Sequence, residues 1–600
     1  MRRFAAVAAT VAVSALVLSG CAAPQSEIVE GSSLSVAWNQ PFYSYNQNTS
    51  FGNATANANI IYSTNSGFGY YDNTPSWVKD TSFGTYEKIS DDPLVVKYTI
   101  ADGVKWSDGT AVDAADLLLN WVSLSGAENT PNFDSSEFTD PDTGEFTDSF
   151  PKDVVFFDSG ADPTTGLGLV SKLPEISDDK KSITLTYDSP FVDWELAFTS
   201  AGLPAHVVAM HALGIDDPQK AKDALITAIK DNDKTSMAAI SSFWNSGFNF
   251  TEMPSDTSLV VGDGPYTITD FVADQYVTLT ANTNYTGANQ PKVQEITVRF
   301  ITDPLAAVQA LQNGEVQVIS PQATADVADA LAALDVTVIG GYEGTYEHID
   351  LQFDQSKSGN FNDPLVREAF MKVIPRQEIV DKLIKPLQAD AEVRNSQVFL
   401  PGAEGYDDSV ANNGSAAYKD VDIEGAKALL AQANNPNPEV CMLFSSTNPR
   451  RANEFLLIQQ SAAQAGFNVT DCSSPSWGGL LGTPGAYDAS LFGWQSTSLG
   501  VTNGPPPTYN SKGINNLNFY SNPEMDKLTD QLGKEFDPAK QIEIEKKIDK
   551  LLWDDFYGVT IFQFPAVTAF DQNAISGISP GPLSPTIFWN IWDWTPVTAG

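Results

Sequence analysis

Six hundred residues exceed what one hydrophobic core organises, so at least two domains are expected. A hydrophobic content of 42% with 11% aromatics excludes a disordered chain. Seventy-five acidic residues against 34 basic ones give a formal charge of −41, which argues against nucleic-acid binding and describes a self-repelling acidic surface.

Arg2 and Arg3 form a positive start, and Phe4 to Leu18 is an apolar run too short for a permanent span. The run ends in Leu18-Ser19-Gly20-Cys21, which resembles a lipobox. That resemblance implies cleavage before Cys21, lipidation of Cys21 and a body tethered outside the cytoplasmic membrane by residues 21–33. A diacylated cysteine supplies the two chains that stable anchoring needs. Leu34 to Trp38 alternates as a strand and runs into a loop, Asn39 to Asn46, loaded with amides and aromatics. Such loops satisfy their own turns or contact a ligand, and the position after a first strand favours ligand.

Val95 to Ile100 is strand-like, Asp102-Gly103 turns it, Val104 to Trp106 returns, and Asp113 caps a helix through Trp121. Residues 126–170 have the composition of a long surface insertion. Ser182 to Tyr187 and Pro291 to Phe300 alternate as strands, and Gly262-Asp263-Gly264-Pro265 marks a tight turn. Asp303 to Leu311 is helical. Asp363-Pro364 starts another helix, followed by helices over Arg376–Leu383 and Ile423–Ala433. Val440 to Phe444, Asn453 to Gln464 and Phe467 to Val469 form a strand–helix–strand unit with parallel strands. A helix over Pro538–Trp553 and a strand at Val559–Gln563 close the pattern. Cys441 and Cys472 flank the strand–helix–strand unit; an oxidising exterior permits a bridge, and register could equally keep them apart.

Several of these stretches, in this order, resemble the bacterial extracellular solute-binding proteins of family 5. The carriers are Tyr98-Thr99-Ile100-Ala101-Asp102-Gly103-Val104-Lys105-Trp106-Ser107-Asp108-Gly109-Thr110, then Gly262 to Ile268, Ala310-Leu311-Gln312-Asn313-Gly314-Glu315-Val316, Val366-Arg367-Glu368-Ala369-Phe370 and Ala426 to Ala433. The resemblance implies an α/β periplasmic-binding-protein-like fold of type II, with two hinged lobes and a small insert domain. The expected division is 34–70, 191–300 and 557–600 in lobe I, 71–190 in the insert and 301–556 in lobe II, with the first hinge near Asp303–Gly314. It also implies capture of oligopeptides or peptide-like solutes by hinge closure, delivery to ABC permease subunits, a monomer and no cofactor. An oligosaccharide is the alternative solute; an exported hydrolase or transpeptidase, or a signalling lipoprotein, is a further alternative.

Tyr487 to Thr497 alternates like a buried strand and then opens into amide and hydroxyl groups, as a cleft wall would. By resemblance, ligand contacts fall to Phe492, Gly493, Trp494, Gln495, Ser496 and Thr497, facing Gln40, Phe42, Tyr43 and Tyr45. Many peptide binders of the family carry an acid where this chain has Thr497, so the partner of a peptide's amino terminus is unassigned.

The residues carry no catalytic or metal-binding pattern. Three histidines, 206, 211 and 348, lack metal-ligand spacing and are expected at the surface or in caps. Ser177-Asp178-Asp179-Lys180 matches a Ser-x-x-Lys pattern without the motifs that accompany it in penicillin-recognising enzymes.

Overall fold

The computed structural model describes residues 28–140, 145–159, 166–475, 477–495, 499–513 and 515–597. The N-terminal leader with Cys21 therefore lies outside the described residues, as do Ser496 and Thr497.

One ten-stranded mixed sheet runs through both halves of the molecule. Its strands are β1 (Val29–Trp38), β2 (Tyr266–Val272), β3 (Tyr276–Ala281), β4 (Val293–Phe300), β5 (Val318–Ile319), β6 (Thr337–Leu351), β7 (Glu439–Leu443), β8 (Asn468–Asp471), β9 (Ala489–Gln495) and β10 (Gly558–Phe570). Their spatial order is β8-β7-β9-β6-β10-β5-β1-β4-β3-β2. β1 is parallel to β4 and β5, and β7 is parallel to β8 and β9, whereas β6 is antiparallel to β9 and β10. The first strand begins at Val29, inside the stretch assigned to the tether.

Two apolar cores flank the long strands. The first gathers Val36, Leu279 and Ile296 of the main sheet with Val96, Tyr98, Ile183 and Leu185 of a separate four-stranded sheet. Segment 71–190 thus shares the first lobe's core. The second core holds Ile349, Leu351, Val440, Met442, Leu491, Val559 and Ile561.

β6 and β10 cross between these cores side by side, paired from Thr337↔Phe570 to Asp350↔Gly558 with register shifts at Tyr342/Tyr346 and Glu347/His348. The first crossing is therefore β6 and not the helix near Asp303. That helix, Pro304–Gln312, packs Ala307, Val308 and Leu311 with Ala37 and Ala569, which binds it to the first lobe's strands.

Helix starts follow one recipe. Asp303, Asp363, Asn448 and Asp537 each accept a hydrogen bond from a backbone N–H of the first turn, and a proline follows each of them. The Pro449–Ala463 helix therefore begins earlier than its apolar spacing suggests. Asp113 and Asp116 form a capping box at Ala114–Ser125, and buried Lys222 pairs with both carboxylates. Val104–Trp106 forms no strand; only Lys105 bridges Ala111.

Cys441 and Cys472 are joined in a disulfide, with Cα atoms 5.6 Å apart on adjacent strands β7 and the exit of β8. Two histidines depart from the surface expectation. His206 is 1% exposed, with Nε2 2.8 Å from Asp108 Oδ2, and His348 is buried against Phe492. Ser177–Lys180 is a turn in which Ser177 Oγ donates to Asp179 and Lys180 pairs with Asp223.

Candidate functional site

A cavity of about 700 Å³ lies between the lobes, within the range typical of small-ligand sites. From the first lobe, Tyr62, Tyr70, Tyr71, Trp77 and Trp592 supply rings. Tyr62 stacks on Trp592 at 6.0 Å and its hydroxyl donates to the Trp589 carbonyl, so these rings hold one another in place. From the second lobe come Tyr346 on β6, Trp494 on β9, the Arg394–Leu400 segment, Tyr509 and Glu545. Tyr346 and Trp494 are direct cross-strand partners.

The lobes are clasped across the cavity. Asp193 of the first lobe accepts from the backbone N–H groups of Val501 (3.1 Å) and Thr502 (2.6 Å) and from Thr502 Oγ1 (2.5 Å). Gly500 leaves room for that approach, because a Cβ there would stand 3.0 Å from Asp193 Oδ2. Nearby, Val192 N–H donates to the Gly533 carbonyl at 3.1 Å.

Burial raises the Asp193 carboxyl above its usual range, with the Thr502 bonds acting against it. Glu545, also in the wall, is pushed up to about 7 by burial and then by the charge of Asp193. Arg394 is 2% exposed, and burial lowers its pKa.

Of the expected ligand contacts, Trp494 lines the cavity. Phe492 is 2% exposed and packs on His348 (4.3 Å) and Trp477 (5.9 Å), a core position. Gly493 turns to the other face of β9, where a Cβ would lie 2.6 Å from Phe564. Gln495 ends β9 opposite Thr345; Ser496 and Thr497 lie outside the described residues.

The first-lobe set does not form the opposing wall. Phe42 is in the core against Phe250 and Phe271, and Tyr45 is buried with its hydroxyl 2.7 Å from Thr64 Oγ1. Asn57 Oδ1 accepts from the N–H groups of Tyr43 and Ser44, and Gln40 Oε1 accepts from Thr55. The Asn39–Asn46 amides and aromatics thus fasten their own loop onto the Thr55–Thr64 helix, and none of Gln40, Phe42, Tyr43 or Tyr45 lines the cavity.

Beneath β9 lies a buried charge network. Glu347 on β6 accepts from Arg450 Nη2 (3.0 Å) and Arg451 Nε (3.1 Å). Arg450 Nε lies 3.3 Å from Glu454 Oε1, close enough for ion pairing but without hydrogen-bond alignment. Burial, and next the charge of Glu347, holds the Glu454 carboxyl well above its ordinary range.

The family described as bacterial extracellular solute-binding proteins, family 5 Middle, matches residues 75–516, well over half of the chain. The chain belongs to this family. An uncharacterized lipoprotein of Mycobacterium tuberculosis is 24% identical over 590 residues, covering 96% of this chain and 94% of the relative. The oligopeptide-binding protein OppA of Mycobacterium bovis is 23% identical over 500 residues, covering 82% and 73%.

Among solved structures, a periplasmic EDTA-binding protein, EppA, superposes with a TM-score of 0.78 at 19% identity, over 98% of this chain and 100% of that one. The oligopeptide-binding protein AppA of Bacillus subtilis, solved with a nonapeptide, gives 0.65 at 18% identity, over 94% and 99%. These likenesses show the two-lobed type II fold. Among the described residues no helix is long and apolar enough to cross a membrane, and no group of metal-ligating side chains gathers.

Proposed function

We propose that the chain is the extracytoplasmic receptor of an ABC importer that captures a peptide or peptide-like solute by closing its lobes and delivers it to membrane permease subunits. The observation that carries this reading is the cavity itself, walled by both lobes and bridged by the Asp193–Thr502 clasp. A ligand touching both walls adds contacts that exist only in the closed state, so it shifts the lobes toward closure by its differential affinity. Delivery then rests on the permease recognising that state.

The receptor works as a monomer, held to the membrane by lipid on Cys21. Support comes from the lipobox-like Leu18–Cys21 and from relatives named lipoproteins. It binds without turnover. A non-peptide solute such as an oligosaccharide is the second reading, favoured by the nine Tyr and Trp side chains among the described lining residues. Such rings stack on flat ligand faces of many kinds.

The test is mass spectrometry of the solute released from protein purified out of its native host, followed by calorimetric titration with that solute. A retained peptide that binds saturably and is recovered intact supports the proposal. A retained sugar supports the second reading, and conversion of the solute overturns the receptor reading.

A further inference from the structure

Arg394 is the only cationic side chain in the described lining of the cavity, which contains no Lys and no His. It is 2% exposed, yet no described carboxylate lies within ion-pair distance of it. The carboxylate that acts on it is Asp549, more weakly than the neighbouring tyrosines. That carboxylate is already committed to Ser396 Oγ, Gln397 N–H, Ser409 Oγ and Asn413 Nδ2, at 2.6–2.9 Å. A buried cation without a contacting anion is costly.

The guanidinium is also aimed. Arg394 Nε donates to the Ser396 carbonyl (2.8 Å) and Nη1 to Gln563 Oε1 (2.9 Å), while the plane lies 3.8 Å from the centre of the Tyr346 ring. No described residue accepts from Nη2. Gln563 is itself fixed, because its Nε2 donates to the carbonyls of Glu343 and Thr345. The side chain is therefore held through Nε and Nη1, and Arg394 lines the cavity. A planar fork with free donors fits a carboxylate.

The rest of the wall opposes anions. Asp80, Asp193 and Glu545 all line the cavity. Asp193 is spent on Val501 and Thr502, Asp80 accepts from Ser82, and no described group donates to Glu545. In a chain of net charge −41, a single oriented Arg selects where an acidic group can sit as well as whether it can enter.

We infer that the solute carries a carboxylate and that Arg394 is the residue that receives it, with Gln563 as the residue that positions Arg394. This deepens the receptor reading of the cavity and rests on it.

The test is calorimetric titration of the full chain with three synthetic pools of short peptides whose side chains are otherwise neutral. One pool has free carboxyl termini, the second is amidated, and the third is amidated and carries Glu side chains. The expected result is binding of the free-acid or the Glu-bearing pool at least about tenfold tighter than the neutral amide pool. Which of the two acidic pools gains tells whether the carboxylate is terminal or in a side chain. In Arg394→Gln the advantage disappears, and Arg394→Lys, which keeps charge without the planar fork, restores part of it.

Equal binding of all three pools by the unaltered chain overturns the inference while leaving the peptide receptor standing, and this comparison needs no variant to fold. Failure of every pool to bind refutes the peptide reading. The native solute found by mass spectrometry then decides, because one without an acidic group also overturns the role of Arg394.

Discussion

Asp193 and Thr502 meet across the two lobes, the carboxylate taking both the backbone N–H and the hydroxyl of the same residue. These bonds, with that from Val501, join one lobe to the other, so in the proposed receptor they contribute to closure and not to either core. Charge-assisted hydrogen bonds contribute about 1.5–3 kcal/mol. Asp193→Ala is therefore expected to weaken solute binding by roughly ten- to hundredfold with little change in unfolding midpoint. X-ray scattering of the solute-bound variant should show a larger open fraction. Unchanged affinity would mean that the clasp does not contribute to the bound state.

Glu545 makes stability depend on pH. Its ordinary pKa is 4.5, and burial followed by the Asp193 charge raises it to about 7 in the folded chain. Between those values the folded chain holds a proton that the unfolded chain has released. Stability from this group is thus fully present below 4.5, falls as pH rises through the window, and is level above about 7. Glu545→Gln cannot ionise and is expected to flatten that part of the profile, raising the thermal midpoint at pH 8 relative to the unaltered chain. Parallel profiles from pH 4 to 8 would contradict this.

How much of this was legible in the residues depends on the distance over which each signal acts. Helix starts such as Asp363-Pro364 and strands such as Leu94–Ile100 and Val293–Phe300 are written locally, in capping chemistry and alternation, and they appear where expected. The cavity wall is different. Trp494 was visible because it continues an alternating strand, but Arg394 and Glu545 are 151 residues apart in an acidic chain and meet only through packing within the second lobe, where Val393 bridges Phe562 of β10 and Ser396 and Gln397 bond Asp549 of the Pro538–Asp554 helix. The Asn39–Asn46 loop misled because amides that could contact a ligand are chemically identical to amides that fasten a loop, and only Asn57 and Thr55 decide between the two. Segment 304–312 misled in a similar way, since nothing local tells which lobe an amphipathic helix packs on.

The Glu347–Arg450–Arg451 network should be intolerant of partial removal. Glu347 is fully buried and directly bonded to both guanidinium groups. Glu347→Gln leaves two buried cations facing Glu454, whose high pKa reflects partly the charge that is being removed. Breaking one side of a buried pair typically costs about 3–5 kcal/mol. Loss of the Glu347 charge also favours ionisation of Glu454, which returns part of that cost. Urea unfolding should show a clear fall in midpoint; a loss of unfolding free energy below about 1 kcal/mol would imply that Glu454 compensates almost fully.

The disulfide closes a loop of 31 residues. In the chain-entropy account a loop of that length stabilises by about 3–4 kcal/mol. Cys441→Ser with Cys472→Ser is expected to lower the urea midpoint accordingly while solute affinity stays near the unaltered value, because neither cysteine lines the cavity. A large affinity loss in a folded variant would instead connect the β7–β8 edge to the site.

Phe492 and Trp494 share one face of β9 with ring centres 6.0 Å apart, yet they stand in different environments, and a pair of truncations separates them. Phe492 is enclosed by His348, Trp477 and Trp494, so Phe492→Ala leaves a buried void and is expected to cost about 3–5 kcal/mol. Its effect on affinity, measured below the unfolding transition, should be small. Trp494 lines the cavity, and Trp494→Ala removes cavity-facing surface with a smaller loss of stability. Its expected signature is a fall in affinity of roughly tenfold or more, in line with the loss of a large aromatic contact. If both variants lose stability equally and neither loses affinity, β9 is core on this face along its length and the solute is held by the Arg394 and Tyr346 side of the cavity alone.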